Sequence, residues 1–281
     1  MTQADIRQHY EGLWKQVDDS AKDVGGLLYS NPVEDAVVAP VYRQLARDLR
    51  IAADGGAILD VGCGAGRWVR HLLEWFRPAS FVGIDVAQSS ADLLKRFHGA
   101  RPDCRIAFRA GDITSNALDL GEQFDLINIA NVLFHVPEQE LFMQALRNLV
   151  AALAPGGTII TTEYLPRITM RTNWMLVRSR YEFEAALAAV GLRIVAVRAF
   201  SFFGNDPMGV DGPDAGTRGV FGRVKAGFGA LQSAKMDDGG KAFIQNLLVD
   251  VERACLEFCG ERISDIDMPS QKLVALRRVD E

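Results

Sequence analysis

The sequence predicts a doubly wound α/β fold: seven strands in a mostly parallel sheet, a helical cap ahead of it, and an insertion before the last strand. Three observations predict it. Short apolar runs alternate with stretches of helical periodicity from residue 57 to residue 200. The first of these runs passes directly into a glycine-rich turn. The run that would close the sheet comes about 70 residues late, between Phe200 and Gln271, where a hairpin is the ordinary connection.

Residues 5–18 predict a short helix within a polar opening that carries spaced aromatics, Tyr10, Trp14 and Tyr29. Val37, Val38, Val41, Leu45, Leu49 and Ile51 recur near helical spacing and predict a helix over 33–53, ended by Asp54-Gly55-Gly56. AILDVG (57–62) reads as a buried parallel strand, CGAG (63–66) as a turn and RWVRHLLEWF (67–76) as a helix. SFVGIDVA (80–87) is a strand with Asp85 near its end, followed by the helix SSADLLKRFH (89–98). RIAFRAGDI (105–113) ends near Asp112, and FDLINIANVLF (124–134) is a strand running into a loop. The helix QELFMQALRNLVAAL (139–153), a turn at Pro155-Gly156-Gly157 and the strand TIITTEYL (158–165) come next. A helix over 181–191 closed by Gly191, a strand over 192–200 and a last strand over 271–279 complete the pattern. Residues 201–219 are rich in Gly, Asp and Pro and read as a loop, while 241–258 is the clearest helix of an apolar stretch. The expected organisation is a cap over 1–54, a core over 55–200, an insertion over 201–268 that covers substrate or contacts a second copy, and the last core strand over 269–281.

With 48% hydrophobic and 24% charged residues the chain can build a substantial core. Its net charge of -5 and lack of a basic run argue against a nucleic-acid partner. No stretch approaches a membrane span, and the polar start MTQADIRQHYEG reads as no export leader, so the cytoplasm is the expected compartment. Of the four cysteines, Cys255 and Cys259 are four apart and read as small buried residues, and the histidines are scattered, so no metal site is expected. Asp211, Asp214, Asp237 and Asp238 sit among Gly and Pro and read as turn acids rather than Mg²⁺ or Ca²⁺ ligands.

The turn between the first strand and the helix from Arg67 carries the chemistry. Gly62 and Gly64 remove side chains where the backbone turns and a ligand comes close, and the helix start offers unpaired N–H groups. A dinucleotide dehydrogenase would carry G-x-G-x-x-G here; the third spaced glycine is absent, and Asp60 stands just before the loop. In order along the chain come LDVGCGAGRW (59–68), VGIDVAQSS (82–90), AGDI (110–113), FDLINIANVLFHVP (124–137) and LAPGGTIITTE (153–163). Through these the chain resembles the class I S-adenosylmethionine-dependent methyltransferases over roughly 57–200, a family with a Rossmann-like fold.

That resemblance implies S-adenosylmethionine as cofactor. It implies that Asp60 and the loop of Gly62, Cys63, Gly64 and Gly66 surround its methionine part, and that Asp85 accepts from both ribose hydroxyls. It puts Asp112 near the adenine amino group, Val86 and Ile113 against the ring, and Asn131 toward the amino-acid end. Bland roles compete: Asp112 as a turn cap, Asn131 as a loop partner, Cys63 as merely small. For the acceptor, His135 after the fourth strand is a base, a substrate contact or a structural hydrogen bond. Glu163 binds the acceptor or pairs with Arg167 or Arg171, and Tyr164 packs on the acceptor. Tyr10, Trp14, Tyr29 and Phe203 are the expected wall of the substrate pocket. NVLFHVP stands where amino-methylating enzymes of nucleic acids often carry N/D-P-P-Y/F, which favours a small-molecule acceptor, with oxygen ahead of nitrogen or carbon. A homodimer, and a cofactor-binding subunit without activity of its own, are the remaining alternatives.

Overall fold

A computed structural model describes residues 3–15, 32–51, 53–98, 101–171, 175–201, 235–268 and 270–280, together with the single residues 227 and 230. Tyr29 and Phe203, two of the expected pocket residues, lie outside the described residues. The chain opens with α1 (Gln3–Lys15) and α2 (Pro32–Asp48). Then come β1 (Ala57–Val61), α3 (Arg67–Phe76), β2 (Ser80–Asp85), α4 (Gln88–Phe97), β3 (Arg105–Ala110) and β4 (Phe124–Ile129). A 3-10 turn (Leu133–His135) leads to α5 (Gln139–Ala152) and β5 (Leu153–Glu163). The two-residue strands β6 (Met170–Arg171) and β7 (Leu176–Val177) form a small separate ribbon. After α6 (Arg180–Ala189) come β8 (Leu192–Ser201), α7 (Asp238–Gly260) and β9 (Gln271–Arg278).

The sheet has seven strands in the order β3-β2-β1-β4-β5-β9-β8. Its pairs are parallel except those of β9, which runs antiparallel to both β5 and β8. Strand order reverses between β1 and β4, so a crevice opens at their carboxyl ends, where ligands of open α/β sheets bind. The period-2 alternation of each strand divides the core in two. Leu59, Ile127, Ile159 and Val274 pack on one face against α5 and α6 through Phe142, Leu146, Phe183 and Leu187. Ile58, Leu126, Ile160 and Leu273 pack on the other against α2, α3 and α4 through Tyr42, Leu45, Val69, Leu72 and Leu94.

Element types follow the sequence reading, and the differences have local causes. α2 stops at Asp48 rather than 53 because Arg50 takes a left-handed φ of 50° and the Ile51 N–H turns back to Ala46 O. Pro155-Gly156-Gly157 is not a free turn between helix and strand. β5 already pairs at Leu153 with Phe124, and the residues up to Thr158 bulge out of register with Gly156 at φ 73°. Cys255 and Cys259 are half-buried rather than buried, because α7 buries one side only. That side packs Leu248 and Val249 on Val33 and Val37 of α2, and Arg253 Nη2 donates to Ala36 O. No described helix is long and apolar enough to cross a membrane.

Candidate functional site

At the end of β1 the chain must turn sharply to enter α3, and three glycines make the turn. Gly62, Gly64 and Gly66 have φ of 71°, 50° and 86°, all left-handed. A Cβ at Gly62 would drive into Val132 Cγ2, and one at Gly64 would lie 2.9 Å from the Trp14 ring. These glycines are required by packing and backbone shape as well as by any ligand. The loop is tied to β2: Gly62 and Cys63 donate their N–H groups to Ile84 O, and Ser90 Oγ donates to Gly64 O at 2.7 Å.

Asp85 ends β2 beside this loop. Its Oδ2 accepts from Gly64 N and its Oδ1 from Ala87 N, both at 2.9 Å. Burial pushes its pKa up to about 6, with the two backbone N–H groups pulling the other way. Asp60 lies one layer lower, in a buried chain: Tyr42 Oη donates to Asn128 Oδ1, and Asn128 Nδ2 donates to Asp60 Oδ1 at 2.7 Å. Asp60 Oδ2 is buried without a partner among the described residues. Desolvation raises Asp60 to about 7; the Asn128 bond opposes this and the charge of Asp85 adds to it.

Above the loop lies a cavity of about 370 Å³, within the range of small-molecule sites. Its wall includes Gly62, Cys63, Gly64, Asp85, Val86, Gly111 and Ile113 from the strand ends and the loop. It also includes Tyr10, Phe134, His135, Val136, Tyr164 and Met175, with Asn131 and Gln271. α1 closes the top. Trp14 packs with Ala65, Ala87 and Leu93, and Tyr10 Oη lies 3.4 Å from His135 Nε2.

The structure thus brings together Gly62, Cys63, Gly64, Asp85, Val86, Ile113, Asn131, His135, Tyr164, Tyr10 and Trp14 on one cavity. Other expected site residues stand off it. Asp60 is beneath the floor, and Gly66 caps α3 against Leu94 and His98. Asp112 turns away from the wall formed by Gly111 and Ile113. Its Oδ1 caps Thr114 N, and its Oδ2 accepts from Arg7 Nη2 of α1 at 2.7 Å. Asn131 sits at φ 60°; its backbone N–H donates to Thr162 Oγ1, and its Oδ1 accepts from Thr162 Oγ1 and from Gln271 Nε2.

Glu163 lies off the cavity wall. It is cross-strand partner to Lys272 and packs on the α5 and α6 side of the sheet, where Thr161 Oγ1 reaches its Oε1 at 3.4 Å. Burial raises its pKa to about 8, with the Arg178 charge and the Thr161 bond opposing. The described part of the insertion, 235–268, contributes no residue to the cavity wall.

Sequence reasoning did not single out Glu34, Arg67 or Gln271, which line the cavity, nor Lys272. Lys272 is fully buried. Its Nζ donates to Tyr164 O at 2.6 Å and Ser270 O at 2.7 Å, which pins two strand ends beside the cavity. Burial lowers its pKa to about 8, with the charges of Asp267 and Asp265 opposing. Arg67 was visible as the first residue of a helix, but nothing local marks it as facing a cavity. No group of three or more His, Cys, Asp or Glu that could hold a metal exists among the described residues.

Comparison with known proteins agrees with this architecture. The sequence profile of the family described as "Methyltransferase domain" matches residues 58–157. A ubiquinone biosynthesis O-methyltransferase of Chelativorans sp. is 34% identical over 186 residues, covering 58% of this chain and 70% of that protein. Its counterpart in Brucella anthropi is 34% identical over 163 residues, 50% of this chain and 62% of that one. The chain spans roughly half to two thirds of the length of the curated relatives it matches, 48% to 70% among the first four. In fold it resembles a putative sarcosine dimethylglycine methyltransferase from Galdieria sulphuraria, with a TM-score of 0.55, 15% identity, and coverage of 98% of this chain and 99% of that one. The glycine turn, the strand-ending Asp85 beside it and the relatives that share this frame agree: the chain belongs to the class I S-adenosylmethionine-dependent methyltransferase family.

Proposed function

We propose that this chain transfers a methyl group from S-adenosylmethionine to a hydroxyl oxygen of a small molecule, and that its cavity binds both reactants. Membership in the family makes S-adenosylmethionine the cofactor. The observation that carries the reading is a single cavity whose wall holds both a glycine loop with a carboxylate and a set of aromatic side chains with a histidine.

The residues present fit the cofactor. Each Asp85 oxygen uses one lone pair on a backbone N–H and keeps another for a ribose hydroxyl. Val86 and Ile113 offer apolar surfaces to a flat base. Asp112, engaged by Arg7, contributes through the position of α1 rather than through a direct contact with adenine.

When bound, the cofactor supplies an electrophilic methyl carbon on a sulfonium. The chain's own residues do the rest. Tyr164, Phe134 and Met175 orient the acceptor through apolar contact, and α1 keeps water from the reacting atoms. His135 takes the acceptor proton at Nε2, where the acceptor hydroxyl replaces the Tyr10 hydroxyl that stands 3.4 Å from that nitrogen; Tyr10 then lies beside the pair and steers the acceptor. Glu163 has no part in this chemistry, since its carboxyl lies off the cavity wall.

The O-methyltransferase names of the relatives, among them a fatty-acid O-methyltransferase of Mycolicibacterium smegmatis 28% identical over 152 residues, support oxygen as acceptor atom. The α1 and α2 cap belongs with the cavity in this reading. The described insertion helix α7 is a flank element that packs on α2 and leaves an exposed side with Phe243 and Phe258 open to a second copy. Incubation with methyl-labelled S-adenosylmethionine and a panel of phenols, fatty acids, sugars and amines tests the reading. Label appearing in an ether or ester supports it; label appearing only on nitrogen or carbon contradicts it.

A further inference from the structure

Beside His135 and Tyr164 the cavity wall carries two amide side chains whose orientation is fixed and whose outer atoms are unused. Asn131 stands just before the 3-10 turn that holds Phe134 and His135, and Gln271 opens β9. Both line the cavity. Gln271 precedes Lys272, the cross-strand partner of Glu163, so its side chain takes the opposite face of the sheet from theirs. It is buried there on the wall that also carries the contacting rings of Phe134, His135 and Tyr164.

Hydrogen bonding decides which way each amide points. The Asn131 backbone N–H can only donate, and Thr162 Oγ1 accepts from it at 2.7 Å. That hydroxyl must then place its own proton, and it does so on Asn131 Oδ1 at 2.8 Å. Gln271 Nε2 donates to the same oxygen at 2.6 Å. Asn131 Nδ2, a donor, and Gln271 Oε1, an acceptor, are left over, and neither has a partner among the described residues. Gln271 Oε1 is not sealed off, and in a side chain buried this far its open surface belongs to the cavity. Lys272 holds the frame still, because its Nζ ties Tyr164 O to Ser270 O next to Gln271.

We propose that Asn131 Nδ2 and Gln271 Oε1 form a specificity subsite for a second group of the acceptor, one that is uncharged and both accepts and donates: a hydroxyl or a primary carboxamide. The proposal rests on the reading that this cavity holds a methyl acceptor. Asn131 Nδ2 donates to the oxygen of that group, and the group donates to Gln271 Oε1. A carboxylate has no proton to offer Oε1, and an ammonium has no lone pair to offer Nδ2. A methyl group leaves both amides unpaired.

Calorimetric titration of phenols into the protein loaded with S-adenosylhomocysteine tests the subsite. The probes carry a carboxamide, hydroxymethyl, carboxylate, aminomethyl or methyl group, each in its ortho, meta and para isomers. In at least one isomer series wild type is expected to bind the carboxamide or hydroxymethyl compound about 10- to 100-fold tighter than the methyl and carboxylate compounds. Q271M removes the acceptor and should bring these affinities within about threefold of one another. N131D suits the left-handed φ of Asn131, keeps an oxygen for Thr162 and Gln271, and replaces the donor by a second acceptor. It should turn the preference toward the aminomethyl compound by about tenfold, a reversal that a merely packing residue would not produce. S-adenosylhomocysteine affinity within about twofold of wild type reports an intact fold, and either variant decides if the other does not fold. Equal affinity for all five probes in wild type, or none for any, overturns the subsite. So does a preference that survives Q271M, or an N131D protein that loses S-adenosylhomocysteine and keeps its preference. If wild type does not bind S-adenosylhomocysteine, the cofactor reading fails on its own, and the same titrations into the unloaded protein judge the subsite.

Discussion

Two parts of the cavity wall are built differently. The part at Gly62, Gly64 and Asp85 comes from two adjacent strands and the loop between β1 and α3, so short continuous motifs contain nearly all of it. The part at Tyr10, His135, Tyr164 and Gln271 is gathered from α1, the 3-10 turn and the ends of β5 and β9. The first part is dictated by backbone geometry, which tolerates few residues. The second is dictated by tertiary packing, which many residue sets satisfy.

Asp85 and Glu163 put the same contrast in two residues. Each is the acid that ends a parallel strand, at the carboxyl edge where ligands bind. Asp85 lines the cavity and accepts from two backbone N–H groups. Glu163 packs on the α5 and α6 side of the sheet, away from the cavity. A strand alternates faces with period 2, so an acid one residue off parity is delivered to the opposite layer.

If this division is right, the largest effect belongs to His135. H135Q should lower turnover of the identified acceptor by about 10²- to 10⁴-fold, as loss of a general base does, and leave S-adenosylhomocysteine affinity within about twofold. Stopped assays and titration check the two halves separately.

Glu163 sharpens the contrast through stability. Its folded pKa of about 8 stands above the ordinary 4.5, so the folded state holds a proton that the unfolded state releases. The stabilisation is present at acid pH and is lost as pH rises through about 8. E163Q cannot ionise; its unfolding free energy should fall less than that of wild type between about pH 5 and pH 9, by about 2 to 4 kcal/mol. Urea unfolding across that range checks it. Equal slopes would mean that Glu163 is not held neutral by burial.

A smaller effect concerns pH and the cofactor. Asp85 titrates near 6 and accepts hydrogen bonds best when ionised, so S-adenosylhomocysteine affinity should drop about tenfold per pH unit below that value and level off above it. Titration at several pH values would show a flat line if another group holds the ribose. The smallest effect is that of Y10F, which removes one hydroxyl 3.4 Å from His135 Nε2. It should lower kcat/KM by about 1 kcal/mol in barrier terms without changing cofactor affinity.

Much of the fold was legible because its signals are local. α3 falls where RWVRHLLEWF predicts it, and the core strands begin where their apolar runs do. Pro155-Gly156-Gly157 misled because a bulge within a strand uses the same residues as a free turn. At the site, Gly64 and Asp85 were legible because they are close in the sheet and fixed by backbone. Glu34, Arg67 and Lys272 were not, because their meaning lies in partners far along the chain. Lys272 reads in QKLVALRR as an ordinary polar strand residue, yet its ammonium is buried between two carbonyl oxygens. Glu163 read as a site residue because strand ends reveal position but not which face of the sheet the side chain takes.

The most direct measurement is a calorimetric titration of S-adenosylhomocysteine into wild type, D85A and E163Q side by side, with NAD as control. Wild type should bind S-adenosylhomocysteine in the micromolar range and should not bind NAD. D85A should lose about 2 to 4 kcal/mol, the worth of the charge-assisted ribose contacts, and E163Q should stay within about twofold of wild type. Wild-type affinity in D85A, or tighter binding of NAD than of S-adenosylhomocysteine, would contradict the assignment of Asp85 to the cofactor.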